Sequence, residues 1–201
     1  MNNEIEHIRT EVRKFFNQDN KLNVTHLDYS ENGLYYYTKE LYKQDAPDKN
    51  WIVCKVIIRD RKTDEKIMEY ITNFEDKYIC ACWISKNGND YLFLPEALEG
   101  QSVVDISQRQ LYSFYSQEDT FTWKSIYPSM DRNKIAVDGF LNDGTNELRV
   151  YDIADVTQLP YRLLYKETNF IHEAGCSFEL WENNNTIVFC QKGRNLTRVK
   201  V

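Results

Sequence analysis

Cys80 and Cys82 stand two residues apart in the run Cys80-Ala81-Cys82. On an extended chain, residues i and i+2 face the same side, so both thiolates could approach one metal ion. Cys54, Cys176 and Cys190 are the other cysteines that could complete a ligand set. A zinc knuckle, however, holds its cysteines on a turn with a wider gap, and most of these thiols sit in apolar, strand-like contexts. Cysteine is among the most buried residue types without any ligand, so core packing is the reading adopted and no cofactor is expected. His7, His26 and His172 do not pair at ligand spacing. His26 and Asp28 would share a strand face, the geometry of an acid–base pair, yet such a histidine is more often an edge residue satisfied by its neighbours. The sequence contains no G-x-S-x-G elbow, phosphate-binding glycine loop or dinucleotide glycine fingerprint. No catalytic residue is assigned.

Three aspartates recur in similar contexts: Ile57-Ile58-Arg59-Asp60, Val103-Val104-Asp105-Ile106 and Val150-Tyr151-Asp152-Ile153. A functional meaning would be a ring of carboxylates at one rim. The structural meaning is that each carboxylate accepts backbone N–H bonds at a turn between strands; a repeated Asp that solves a repeated backbone problem is preferred here. Asp138-Gly139 has no counterpart in the other units and is the polar exception. Rings are abundant, with 14 Tyr, 10 Phe and 4 Trp. Tyr35-Tyr36-Tyr37 must place at least one ring on each face of its strand. Tyr and Trp suit protein interfaces because they bury large area at low entropy cost. Tyr36, Tyr42, Trp51, Asp138 and Asp143 are therefore the candidate interaction residues, while most other rings fill the core.

The elements that must position these groups are one helix and many strands. Ile5, Ile8, Val12, Phe15 and Phe16 form an apolar stripe that predicts an amphipathic helix over 3–18. Arg9 lies at the margin of the stripe, where its stem can cover apolar surface while its charge stays wet. Such a helix caps a sheet edge or one end of a core; the sharper alternative is a docking helix for a partner. Beyond it the sequence reads as β. Trp123–Ile153 shows the unit best, with Ile135 and Val137 on one strand and Leu148, Val150 and Ile153 alternating with Arg149, Tyr151 and Asp152 on a half-buried next strand. Asn142-Asp143-Gly144 between them predicts a tight primed turn. Similar turn signals open at Ser30, Ser85, Ser129 and Glu182, at spacings of 55, 44 and 53 residues, and the marker aspartates follow at spacings of 45 and 47. With only 7 Gly and 4 Pro, Asn and Asp must supply much of the turn chemistry.

Two markers recurring at about 45–55 residues indicate a repeat array of small antiparallel sheets. The order of an S-x-N/D turn, an apolar strand, a turn and V-x-D-I resembles the WD40-like β-propeller repeat. It shows best in W-K-S-I-Y-P-S-M-D-R-N-K-I-A-V-D-G followed by E-L-R-V-Y-D-I, and Tyr151-Asp152 comes nearest to the closing Trp-Asp. The resemblance covers roughly residues 22–201. It implies a mainly β, antiparallel, four-unit propeller-like array, either of about four blades or open and partial, with one N-terminal amphipathic helix. Residues 1–20 would be the helix and 21–201 the repeat domain, with units at about 22–73, 79–118, 122–167 and 171–201. In a closed ring, a strand near 22–28 would complete the last blade. A half-ring would instead close against a second copy as a homodimer.

Composition narrows the function classes. Lys and Arg number 25 against 31 Asp and Glu, a formal charge of −6. That balance disfavours nucleic-acid binding and suits a basic protein partner. No apolar run approaches the ~20 residues needed to span a bilayer. The polar, acidic N-terminus and an odd number of cysteines, 5 in all, point to the cytoplasm. The expectation is a non-enzymatic protein–protein interaction module of WD40-like type. One alternative is a propeller-type hydrolase or lactonase using a carboxylate-held metal. Another is an acidic immunity or inhibitor protein that binds a basic toxin.

Overall fold

A computed structural model describes residues 3–22, 27–46, 49–72, 81–96, 100–116, 120–168, 178–191 and 195–201. The helix α1 (Asn3–Arg13) precedes four antiparallel sheets, each built from strands consecutive in the chain. Sheet 1 holds β1 (Leu27–Tyr29), β2 (Tyr35–Ala46), β3 (Lys49–Asp60) and β4 (Lys66–Thr72). Sheet 2 holds β5 (Cys82–Lys86), β6 (Asn89–Glu96), β7 (Gly100–Asp105) and β8 (Gln110–Tyr115). Sheet 3 holds β9 (Thr122–Pro128), β10 (Lys134–Phe140), β11 (Asn146–Asp152) and β12 (Arg162–Glu167). Sheet 4 holds β13 (Phe178–Asn183), β14 (Thr186–Gln191) and β15 (Asn195–Lys200). The fold is mainly β and propeller-like.

Side-chain alternation gives every strand two faces. In this molecule the faces of neighbouring sheets share cores. Tyr37, Cys54, Val56 and Ile58 of sheet 1 meet Trp83, Leu92, Leu94 and Val104 of sheet 2. Ile84, Phe93 and Val103, from the opposite face of sheet 2, meet Trp123, Ile135, Val137 and Tyr151 of sheet 3. Ala136, Leu148 and Val150 then meet Phe178, Trp181, Ile187 and Phe189 of sheet 4. One tryptophan thus stands on the first strand of sheets 2, 3 and 4, each facing the sheet before it. Among the described residues these cores join sheets 1–2, 2–3 and 3–4, with no fourth core between sheets 4 and 1.

Sheet 3, covered on both sides, corrects the half-buried reading of β11: Glu147 to Tyr151 are all buried. Burying charges requires pairing. Glu147 Oε2 accepts from Arg149 Nε and Nη2, each at 2.7 Å, and Glu147 Oε1 lies 2.9 Å from Lys166 Nζ. The Arg149 guanidinium stacks 4.1 Å over the Phe121 ring.

Two further expectations change. Residues 27–29 do not complete the last blade; they pair with β2 of sheet 1, and Lys21 also bridges to Tyr42 on that strand. The fourth sheet therefore keeps only the three strands of its own short unit among the described residues. The Asn142–Gly144 turn is no two-residue primed turn, because β10 and β11 are joined by the five residues 141–145 with positive φ at Gly144 alone. The primed pair occurs instead at Asn87-Gly88, where both φ values are positive. Asp138-Gly139 is distinct because the β9–β10 register shifts there. A Cβ on Gly139 would sit 2.1 Å from the Thr122 carbonyl oxygen and 2.7 Å from the Phe121 ring.

The helix stops at Arg13, short of the predicted 18, because the chain tightens into i→i+3 bonds from Lys14, Phe15 and Phe16. Phe15 and Phe16 then pack with Val12 on Tyr42, Val53 and Ile71, covering part of the outer face of sheet 1. Arg9 does not keep its charge wet: it is buried, with Nη1 on Glu6 at 2.7 Å, Nη2 on Ser113 at 3.0 Å and its guanidinium 5.1 Å over Tyr70. Beside Tyr42, Glu40 accepts from Lys21 at 2.6 Å and from Tyr42 at 2.7 Å and pairs with Lys55 at 3.1 Å. Burial raises the Glu40 pKa, but these three partners outweigh it and hold it at about 2.

Two outcomes follow. Gly139→Ala should lower stability by about 2–3 kcal/mol in urea unfolding, because the neighbouring atom is backbone and must shift. Glu40→Gln should cost about 1 kcal/mol at pH 7 after allowance for solvent screening. A depressed carboxylate contributes stability above its unfolded value and loses it as pH falls from about 4.5 towards 2. The gap between wild type and variant should therefore narrow across that window in pH-dependent unfolding.

Candidate functional site

In these meanders the first turns of all four sheets and the third turns of sheets 1, 2 and 3 emerge at one end. The first turns, at residues 30–34, 87–88, 129–133 and 184–185, are the ones the sequence repeats. Two share a single device. Ser30 Oγ donates to Asn32 Oδ1 at 2.8 Å and accepts from Tyr35 N at 3.0 Å. Ser129 Oγ donates to Asp131 Oδ1 at 2.7 Å and accepts from Lys134 N at 3.0 Å. The residue after the Asx has positive φ in both, Gly33 at 70° and Arg132 at 58°. The third turns are capped by the marker aspartates. Asp60 Oδ1 accepts from Lys62 N and Thr63 N, Asp105 Oδ1 from Gln108 N, and Asp152 Oδ1 from Ala154 N, at 2.8–3.0 Å.

These turns bond to one another across repeats. Asn32 Nδ2 donates to Asp90 Oδ2 of β6 at 2.6 Å. Asp131 N donates to Asn184 Oδ1 at 3.0 Å, and Lys134 Nζ reaches the Asn184 carbonyl at 2.9 Å. Lys86 Nζ donates to the carbonyls of Ile153 and Ala154, both at 2.8 Å, and burial lowers its pKa. Arg132 Nη2 lies 2.9 Å from Glu31 Oε1, linking sheet 3 directly to sheet 1 past sheet 2. Burial raises the Asp131 carboxyl, but bonds from Ser129 and Asn133 and the Lys134 charge leave it below its usual range. Beside this polar lattice Leu34 and Met130 are 57% and 64% exposed.

The same end carries a cleft of about 340 Å³ lined by Asp152, Ala154, Asp155, Gln158, Pro160 and Arg162. Its loop, between β11 and β12, is longer than the other third turns and is anchored by Val156 and Tyr161, both buried in the core of sheets 2 and 3. Tyr161 Oη donates to the Val156 carbonyl at 2.6 Å. An ion pair at 2.6 Å between Asp152 and Arg162 crosses the cleft wall and lowers the Asp152 pKa.

The five candidate interaction residues do not converge. Tyr36 is half-buried on the outer face of sheet 1, its hydroxyl donating to Asp64. Tyr42 is buried beneath Phe16, with ring centroids 4.7 Å apart, so it presents no surface ring. Asp138 is fully buried and accepts from Tyr127 Oη at 3.3 Å, which removes it as a surface contact. Asp143 is exposed at the opposite end, in the loop 141–145. Trp51 lies on β3, and its side chain is outside the described residues, as are Cys80, Cys176, His26 and His172. Cys82 is half-buried against the core of sheets 2 and 3, and Cys54 and Cys190 are buried. Among the described residues no group of three or more His, Cys, Asp or Glu could hold a metal. No described helix is long and apolar enough to cross a membrane. Sequence reasoning missed the convergence of Glu31, Asn32, Asp131 and Arg132, although the recurring turn signal marked both of the turns involved.

No protein-family model matches the chain, and no curated protein matches it. Among solved structures it is similar to Kuenenia stuttgartiensis hydrazine synthase, at 14% identity and a TM-score of 0.43, over 89% of this chain and 66% of that one.

The Glu31–Arg132 contact is open to a double-mutant cycle with Ala at each position. Both side chains are about one-third exposed, so a coupling of about 0.5 kcal/mol is expected in denaturant unfolding, shrinking with added salt. A coupling of zero at low salt would remove the pair as a link between sheets 1 and 3.

Proposed function

We propose that the chain is a non-enzymatic protein-interaction module of the WD40-like β-propeller type, acting in the cytoplasm. The observation that carries this reading is the convergence of the repeat turns at one end, with Leu34 and Met130 exposed beside the Glu31–Arg132 pair. A rigid scaffold that ties loops together while leaving apolar side chains wet supplies what a binding surface needs: preorganised polar groups around a few residues that gain from burial. The net charge of −6 favours a partner of opposite sign.

The test is quantitative affinity capture with the wild-type chain, the double variant Leu34→Asp/Met130→Asp, and Asp143→Lys at the opposite end. A stoichiometric partner held by wild type and Asp143→Lys, and reduced at least tenfold by the double variant, is the expected result. A partner retained equally by all three, or none held by wild type, would overturn the assignment.

A further inference from the structure

We infer that the chain associates head to tail with a second copy of itself, the outer face of sheet 4 seating on the outer face of sheet 1. This goes beyond the turn-end reading, because it uses the two sides of the array and not its rim. The argument starts from the repeat. Each internal core joins the forward face of one sheet to the rearward face of the next. In sheet 4 the rearward residues Phe178, Trp181, Ile187 and Phe189 are already used against sheet 3. On its forward face Val188 and Cys190 of the central strand are buried, and the flanking Leu180 and Leu196 are 49% and 60% exposed. Leucines this open on both edge strands of one face gain from burial against a partner surface.

Sheet 1 offers the matching kind of surface. Its rearward face is covered by Phe15 and Phe16 only around Tyr42, Val53 and Ile71. Towards the turn end the same face presents Leu27 and Tyr29, 47% and 44% exposed, with Tyr36 paired to Tyr29 across the strands. Arg61 lies 4.9 Å over the Tyr29 ring, and Arg59 is opposite Tyr36 on the neighbouring strand. The forward face of sheet 4 also carries Glu182, ion-paired with Arg198 of the same face at 3.0 Å, and Glu179, which accepts from the Cys190 thiol. Exposed apolar side chains on one face thus meet exposed apolar side chains on the other. The joint continues the stacking order that the chain uses internally three times, so the second copy is the occupant this face fits. Such a contact is heterologous, and with two chains it closes a ring only if both joints form together.

Sedimentation of the 201-residue chain over a concentration series tests this, with two charge variants, Leu27→Glu/Tyr29→Glu on sheet 1 and Leu180→Glu/Leu196→Glu on sheet 4. All four side chains are exposed, and an unchanged circular dichroism spectrum would show that each variant folds. Wild type should self-associate and each variant alone should be monomeric. Mixing the two variants should restore a heterodimer, because each keeps the face that the other has lost. A wild type that stays monomeric at every concentration overturns the inference. So does association abolished by the sheet 4 variant alone and not restored on mixing, which would mean that sheet 4 pairs with itself.

Discussion

A small antiparallel sheet has two faces, and sheets 2 and 3 carry apolar side chains on both, so neither face can be left to water. The structure meets that constraint by sharing cores between neighbours, and the tryptophans are the means. Trp83, Trp123 and Trp181 each sit on the first strand of a sheet and fill the space against the sheet before it. An indole is among the largest apolar bodies available, and burying one contributes about 1.5–3 kcal/mol or more. None of the sheets could keep its flat faces dry alone, so each unit's stability rests largely on its neighbours. The buried Glu147–Arg149–Lys166 cluster follows from the same sandwiching, since charges caught between two sheets must satisfy one another.

Much of this was legible in the amino-acid order. The recurrence of the marker aspartates implies turn caps, and their carboxylates do accept the backbone N–H of Lys62, Gln108 and Ala154. Period-2 alternation and Asx chemistry are local, so sequence carries them. What sequence did not carry was burial beyond the second neighbour. Arg9, Tyr42 and Asp138 all look like surface residues by type and are buried because an element distant in sequence covers them. The β1 strand was misplaced for a related reason: a short extended segment can pair with any free edge, and tertiary proximity decided for β2.

The candidate site was less legible than the fold. Its elements were visible as repeated turn signals, but a repeat explains itself structurally and gives no hint that its turns meet. Glu31 and Arg132 are 101 positions apart in sequence. Only the curvature of the array brings them together, and curvature emerges from how side chains of different size fill each core. The exposed Leu34 and Met130 were equally silent, since an isolated apolar residue in a turn is ordinary until its neighbours are known.

The Glu31–Arg132 bridge has one more implication. In a linear solenoid every unit touches only the units beside it, and evolution can lengthen or shorten such a chain by duplicating or losing one. Here a bond passes over an entire unit. Inserting another sheet between the first and third would pull these partners apart, so the arc carries its own ruler. Unit number in this lineage should drift less freely than in open-ended solenoids.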